Sequence, residues 1–414
     1  MDKLFTKYFA KHPQANSSGS MSDIKVVVPV YLEEDDLFIM LKSLKKAALN
    51  CTAGIEVVLV FNYAETASKE IIGRQLGLMR QCEQELESYQ LPSVRLTILQ
   101  DFSVPKKHAG VGHARKTGMD YAAFAFAQAG RPAGIIASLD ADCVVESNYF
   151  SALTSCFDDK AVAACNIYFE HPLEGDLSDD IYNAIAEYEL HLRYYVQALK
   201  FAGFPYAFHT VGSCFAVTAE AYVKAGGMPR KQAGEDFYFL QKVIPTGSFV
   251  ELDSTKVSPS SRPSDRVPFG TGPSINTLLK DGGEYMTYNL QAFVDLKALF
   301  EIKDQLYTLA DDDKEDFTHK LSGRLRSYLV NSDFFTALKP IKENCSSPEV
   351  FKRRFFEVFN AFRVVKYLNY VHAHFLEKTP VFDASVNLYE LKYGEQVDVF
   401  DTGELLNIFR RLEK

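Results

Sequence analysis

Apolar and polar positions fall in alternating blocks along the first part of this chain. Ile24 to Val30 is a β-branched run of strand length ending in Pro29-Val30-Tyr31, and Leu37 to Leu49 follows with apolar residues at helical spacing. A second apolar run, Ile55 to Phe61, ends at Asn62, and residues 66 to 89 predict a long polar helix before a third strand, Val94 to Leu99. After a glycine-containing loop at 108 to 113, Ala114 to Ala129 is helical in composition, and the apolar run Gly134 to Leu139 meets Asp140-Ala-Asp142. Strands alternating with helices predict an α/β fold with a mixed, mostly parallel sheet flanked by helices on both faces.

From residue 276 the pattern changes: glycines and strand-like runs thin out, and apolar residues recur at helical spacing between charged ones. The expected organisation is a tail and linker over 1–22, an α/β domain over 23–275, and a mainly helical domain over 276–414. Within the tail, Asn16-Ser-Ser-Gly-Ser20 reads as a flexible joint. Ser346-Ser-Pro-Glu349 has the form of a capping box and opens a helix expected to carry Phe351, Phe355, Phe359 and Phe362 on one face. The neighbouring Lys352, Arg353, Arg354, Arg363 and Lys366 read first as a solvated face, with peripheral contact to an acidic membrane surface as the alternative.

Charge narrows the function classes. With 45 Lys and Arg against 54 Asp and Glu, the formal net charge of -9 argues against a broad nucleic-acid footprint. Seven cysteines without a C-x-x-C pair fit reduced thiols rather than a zinc ribbon or a disulfide framework. No signal-like apolar core and no run near ~18 apolar residues appears, so a cytoplasmic location is expected, with the inner face of the membrane left open.

Three groups of residues carry candidate chemistry. Asp140 and Asp142 follow a buried strand, where ligands of open α/β sheets bind, and two hard oxygen donors there suit Mg2+ or Mn2+ shared with phosphates. Gly234-Glu235-Asp236-Phe237 begins a second helix, and a carboxylate held beside a leaving group can take a proton from an incoming hydroxyl, which makes Asp236 the candidate general base. Basic residues form the third group: Lys106-Lys107-His108, His113-Ala-Arg115-Lys116, and Arg262 and Arg266 before Phe269-Gly-Thr-Gly272. Guanidinium groups match phosphate oxygens in a fork. His209 reads as a hydrogen-bonded structural histidine, and His372 and His374, two apart on a helix, point to different faces.

Val27-Val-Pro-Val-Tyr-Leu-Glu-Glu34, Gly110-Val-Gly-His-Ala-Arg-Lys-Thr-Gly118, Leu139-Asp-Ala-Asp142, Gly212-Ser-Cys-Phe-Ala216 and Gly234-Glu-Asp-Phe237 occur in one order along the chain. In that order they resemble the motifs of family 2 glycosyltransferases of the GT-A fold. The resemblance implies a nucleotide-diphospho-sugar donor and a carbohydrate or lipid-linked acceptor. It implies that Pro29, Val30, Tyr31, Glu33, Asn62, Arg115 and Asp140 serve the donor, which the basic residues His113, Arg262 and Arg266 are also expected to contact, and Gly212 and Ser213 are expected to lie by the acceptor. It assigns Asp140 and Asp142 to the metal, and Glu235 and Asp236 to catalysis with inversion at the anomeric carbon.

The chain departs from the family in three ways. Lys116 stands where the family has Asn, no His lies between Asp236 and His319, and no Q-x-x-R-W motif or Trp is present. The metal then rests on Asp140, Asp142 and the diphosphate, and the enzyme resembles one that adds a limited number of sugars. A retaining GT-A transferase, a nucleotidyltransferase and a non-catalytic nucleotide-sugar-binding protein stay open as alternatives.

Overall fold

The structure is a computed structural model and describes residues 2–14, 22–89, 93–231, 234–264 and 270–414. The 16–20 joint, Arg266 and Phe269 lie outside the described residues. The chain divides into two compact units, one of Met1–Tyr182, Thr210–Thr277 and Lys414, the other of Asn183–His209 and Leu278–Glu413.

In the first unit the described strands are β1 (Ile24–Val30), β2 (Ile55–Ala64), β3 (Val94–Val104), β4 (Ile135–Ser138), β5 (Val144–Val145), β6 (Ala164–Phe169), β7 (Phe215–Thr218) and β8 (Phe249–Ser258). They form one sheet in the order β3-β2-β1-β4-β7-β6-β8-β5. β1 is parallel to β2 and β4, β2 to β3, and β6 to β8, while β7 runs antiparallel to β4 and β6, and β5 to β8. The helices are α1 (Lys3–Phe9), α2 (Asp36–Ala48), α3 (Lys69–Tyr89), α4 (Val111–Gln128), α5 (Tyr149–Asp158), α6 (Asp179–Ala202), α7 (Ala219–Lys224), α8 (Glu235–Val243) and α9 (Thr271–Asp281), the chain changing units within α6 and α9. This is the expected mixed α/β architecture, with α4 against β1 and β2, and α3 against β2 and β3.

Every residue of β1 is buried, as befits a central parallel strand covered on both faces, yet one of them is Lys25. Its ammonium pairs with Glu56 on the adjoining β2, whose carboxylate also accepts from Thr97 Oγ1 at 2.7 Å and Tyr121 Oη at 2.9 Å. Those bonds tie three strands and α4 together and satisfy a charge pair that would otherwise be very costly to bury.

Residues 2–14, expected to be part of a tail outside the fold, instead include α1, which buries Phe5, Tyr8 and Phe9. Tyr8 donates to Asp120 on α4 at 2.7 Å, and Tyr222 on α7 donates to the same oxygen at 2.6 Å. Lys116 pairs with Asp120 at 2.9 Å and donates to Tyr8 Oη at 3.1 Å, so it helps to anchor α1. The tail reading missed α1 because four aromatic or apolar positions over seven residues are too short a run to register as a periodic pattern, and the polar partners of Tyr8 lie more than a hundred residues away.

The second unit contains, among its described elements, β9 (Met286–Thr287), α10 (Leu290–Ile302), α11 (Gln305–Thr308), α12 (Lys314–His319), α13 (Gly323–Asn331), α14 (Phe334–Glu343), α15 (Pro348–Val358), α16 (Ala361–His374), β10 (Thr379–Pro380), α17 (Val381–Tyr393) and α18 (Thr402–Arg411). Ser347 caps α15 by accepting from Val350 N at 3.3 Å. The helix ends at Val358, because Asn360 starts a new one by capping α16, so Phe362 belongs to a second helix rather than to the expected single stripe. Phe334, Phe351, Phe355 and Phe359 are buried, and Phe300 meets Phe355, Phe356 and Phe359 edge to face. Lys352, Arg354 and Arg363 are ion-paired with Asp304, Glu357 and Asp333. Residues 183–209, grouped with the α/β domain on sequence, count with this unit: Arg193 is buried against Glu189 and Glu413, Arg410 bonds Glu189, and His209 bonds Glu413 at 3.0 Å. Burial pushes the Glu413 carboxyl up, but His209 and Arg193 hold it down to about 2. No helix among the described residues is long and apolar enough to cross a membrane.

If α1 is part of the core, Phe5→Ala lowers the unfolding free energy by ~3 kcal/mol, read as a shifted urea midpoint at unchanged slope. An unshifted midpoint would mean that α1 is detached in solution.

Candidate active site

The carboxyl ends of the parallel strands β1, β2 and β4 come together with the first turns of α4 and α8. Pro29 and Val30 are buried within β1, and the backbone then turns through Leu32, whose φ of 62° lies in the left-handed region that side chains avoid. Gln75 of α3, buried and 43 positions away from Leu32, holds this turn: its Oε1 accepts from Leu32 N at 3.0 Å and its Nε2 donates to Val30 O at 2.6 Å. The same Nε2 lies 3.3 Å from Asn62 O, and Asn62 Nδ2 donates weakly to Gly110 O at 3.4 Å. The Tyr31 N–H donates to the Glu33 carboxylate. Gln75 joins the ends of two strands, and nothing in its sequence context marks it.

Arg115 lies at the centre of the cleft residues. It projects from the first turns of α4, is almost wholly buried, and donates to Asp140 Oδ1 at 2.5 Å and to Glu235 Oε1. Burial opposes its charge, but Asp140, Glu235 and Asp236 more than offset that, so its affinity for the proton is raised. Gly234, at φ 72°, makes the turn that starts α8 and sets Glu235 and Asp236 in its first turn. Asp236 Oδ1 accepts from Phe237 N at 2.7 Å. Burial, then the charge of Glu235, push the Asp236 carboxyl up to about 7, against the pull of Arg115 and the Phe237 N–H.

Gly212 faces the same group. A Cβ there would stand 2.9 Å from Arg115 Nη1 and 3.0 Å from Asp236 Oδ2, so a side chain at 212 would press on both. Gly212 O accepts from Ser138 Oγ at 2.6 Å, which fastens it to the end of β4, and Ser213 beside it is buried. The structure therefore gathers Arg115, Asp140, Gly212, Glu235 and Asp236, residues drawn from four separate motifs.

Asp142 lies two residues beyond Asp140, and its Oδ2 is 3.2 Å from Arg262 Nη2. Arg262 Nε is also 2.9 Å from Oδ2 of Asp36, at the start of α2, a residue the sequence reading passed over. His113 points elsewhere: its Nε2 is 2.9 Å from Asp101 Oδ2, which accepts from Thr117 at 2.6 Å, and its Nδ1 is buried without a hydrogen-bond partner. Burial would raise Asp101, but His113 and Thr117 hold it below the usual carboxylate range. His209 bonds Glu413, and His372 accepts from Asn289 N at 2.9 Å. His209 makes the structural hydrogen bond that its sequence setting suggested. Among the described residues no group of three or more His, Cys, Asp or Glu is arranged to hold a metal ion by itself.

No protein-family model matches the chain, and no curated protein matches it. Among solved structures, the chain is similar to S. aureus TarS 1-349 in complex with UDP, at 12% identity and a TM-score of 0.39, over 92% of this chain and 95% of that one. The complex of TarS 1-349 with UDP-GlcNAc gives 12% identity and a TM-score of 0.39 over 81% and 91%. Glucosyl-3-phosphoglycerate synthase from Mycobacterium tuberculosis, in complex with Mn2+, UDP-glucose and phosphoglyceric acid, gives 12% identity and a TM-score of 0.37 over 67% and 81%.

The raised Asp236 has a measurable thermodynamic consequence. A carboxyl that holds its proton more tightly folded than unfolded contributes stability that is fully present below about 3.8 and lost as pH rises through about 7. Asp236→Asn, which stays neutral, should therefore unfold at higher temperature than the unaltered protein at pH 8, by up to ~4 kcal/mol, with the gap closing toward pH 4. A gap independent of pH would show that Asp236 titrates normally.

Proposed function

We propose that this protein is a glycosyltransferase that moves a sugar from a nucleotide-diphospho-sugar to an acceptor hydroxyl, with inversion at the anomeric carbon and with a divalent cation. The observation that carries this reading is the convergence of Asp140, Arg115, Glu235, Asp236 and the bare backbone of Gly212 at the carboxyl edge of the sheet. Motifs far apart in the chain meet there.

The donor set fits Mg2+ or Mn2+. Asp140 and Asp142 supply hard oxygens, both are partly exposed, and a guanidinium at Asp142 already stands where positive charge is called for. Such ions keep several waters and take the rest of their coordination from phosphates, so an incomplete protein cage is what they need. When bound, the cation would neutralise charge on the departing nucleoside diphosphate.

The chain's own residues do the rest. Asp236 accepts the proton of the acceptor hydroxyl as its oxygen attacks the anomeric carbon, and its carboxyl, raised to about 7, is basic enough to take it and still largely ionised above neutral pH. Glu235, buried and bonded to Arg115, is a positioning residue: it fixes the guanidinium, and its charge raises Asp236. Arg115 in turn orients Asp140. The turn through Tyr31 and Glu33, with Asn62 beside it, is the place for the nucleoside, held in shape by Gln75.

The test has two arms. Thermal unfolding against UDP, GDP, dTDP and CMP sugars, with and without Mn2+, should show one nucleotide class raising the midpoint in a metal-dependent way, an effect abolished by Asp142→Ala. With the donor so identified, Asp236→Asn should bind it normally while transfer falls by about 10^3-fold, and NMR of the product should show the inverted anomer. Undiminished transfer by Asp236→Asn, or a retained anomer, would remove Asp236 as the base. Absence of any donor shift would remove the nucleotide-sugar reading itself.

A further inference from the structure

Arg262 sits between two carboxylates brought from distant places in the first unit. Its Nε is 2.9 Å from Asp36 Oδ2 at the head of α2, and its Nη2 is 3.2 Å from Asp142 Oδ2 in the turn after β4. Asp36 and Asp142 are 106 positions apart in sequence, yet one planar guanidinium spans them, and all three side chains keep between 23% and 30% exposure. This is a solvent-reachable ion-pair bridge, not a core element, and such pairs exchange partners at little cost.

We propose that Arg262 is the resident counter-ion of the donor site: it neutralises Asp142 while no donor is bound and leaves it when a divalent cation arrives with the diphosphate. The inference rests on Asp142 as a metal carboxylate. A guanidinium and a divalent cation repel each other at a few ångströms, so both cannot hold the same Asp142 oxygen. Displaced from Asp142, Arg262 remains tethered by Asp36 beside the cleft, where its fork matches the phosphate oxygens that come in with the cation. Asp36 thereby becomes a positioning residue for the donor. The arrangement couples the two ligands: cation alone must evict Arg262 without compensation, whereas cation with diphosphate offers the guanidinium a new anionic partner.

The test is a Mn2+ titration, read by the electron paramagnetic resonance signal of the free ion, on the intact protein and on Arg262→Gln, Arg262→Lys and Asp142→Asn, with thermal unfolding to verify folding. Without nucleotide, Arg262→Gln should bind Mn2+ about tenfold tighter than the unaltered protein, Arg262→Lys should fall between them, and Asp142→Asn should lose the site. With UDP present, the advantage of Arg262→Gln should shrink or reverse. Equal Mn2+ affinity in the unaltered protein and Arg262→Gln, with binding still lost in Asp142→Asn, overturns the counter-ion inference and leaves the metal reading standing. An advantage that UDP does not diminish overturns the exchange onto phosphate. Mn2+ binding that Asp142→Asn leaves intact overturns both the inference and the metal reading.

Discussion

The buried guanidinium of Arg115 is the contact on which the rest of the candidate site depends. It takes its position from α4, yet it bonds Asp140 at the end of β4 and Glu235 at the start of α8, so three elements meet through one side chain. A charge this deep is tolerable only with its carboxylates in place, and removing one partner would strand the other. The same cluster crowds the Gly212 backbone and helps Asp236 to hold its proton: a Cβ at 212 would press on the guanidinium, and to the burial of Asp236 the Glu235 that fixes Arg115 adds negative charge beside it.

The sheet was legible because its central strands are hydrophobic on both faces. Runs such as Ile24–Val30 and Ile55–Phe61 have no polar side to disguise them, and β1 falls where its pattern predicts while β2 runs on to Ala64. The acidic pairs were legible for a different reason: they sit just after a strand or at a helix start, where sequence alone tells which end of the sheet they occupy. What stayed hidden were side chains whose importance lies only in a distant partner. Gln75 sits on a long polar helix and looks like solvent decoration, Asp36 resembles a helix-start acid, and Lys25 within a strand looks like a misfit until Glu56 is seen across the ladder. None of these pairings has a period, and only folding brings the partners together.

The helical unit illustrates the same division between local and distant signals. A serine cap before Pro348 and the phenylalanine core could be read from the chain, although the cap is Ser347, one position later than the Ser346–Glu349 box requires. The break at Phe359 could not, since Asn360 competes for the backbone there and ends a helix that hydrophobic spacing would have continued. Nor could the burial of Glu189, Arg193, His209 and Glu413 together, which binds α6 to the residues following α18. Each of those charges would be expensive alone. As a closed network they hold the last turn of the chain against an interior helix.

The balance of charge at the sheet edge gives the proposed chemistry its direction. Among the described residues, Asp36, Asp140, Asp142 and Glu235 share two guanidinium groups, those of Arg115 and Arg262. A diphosphate approaching such an edge meets net repulsion unless positive charge arrives with it or a carboxyl gives up its own. Asp236 answers part of this by holding its proton up to about 7, and the Arg262 bridge answers another part by keeping Asp142 neutral until something better placed replaces it. On the proposed reading, such an edge favours a donor that carries its own cation.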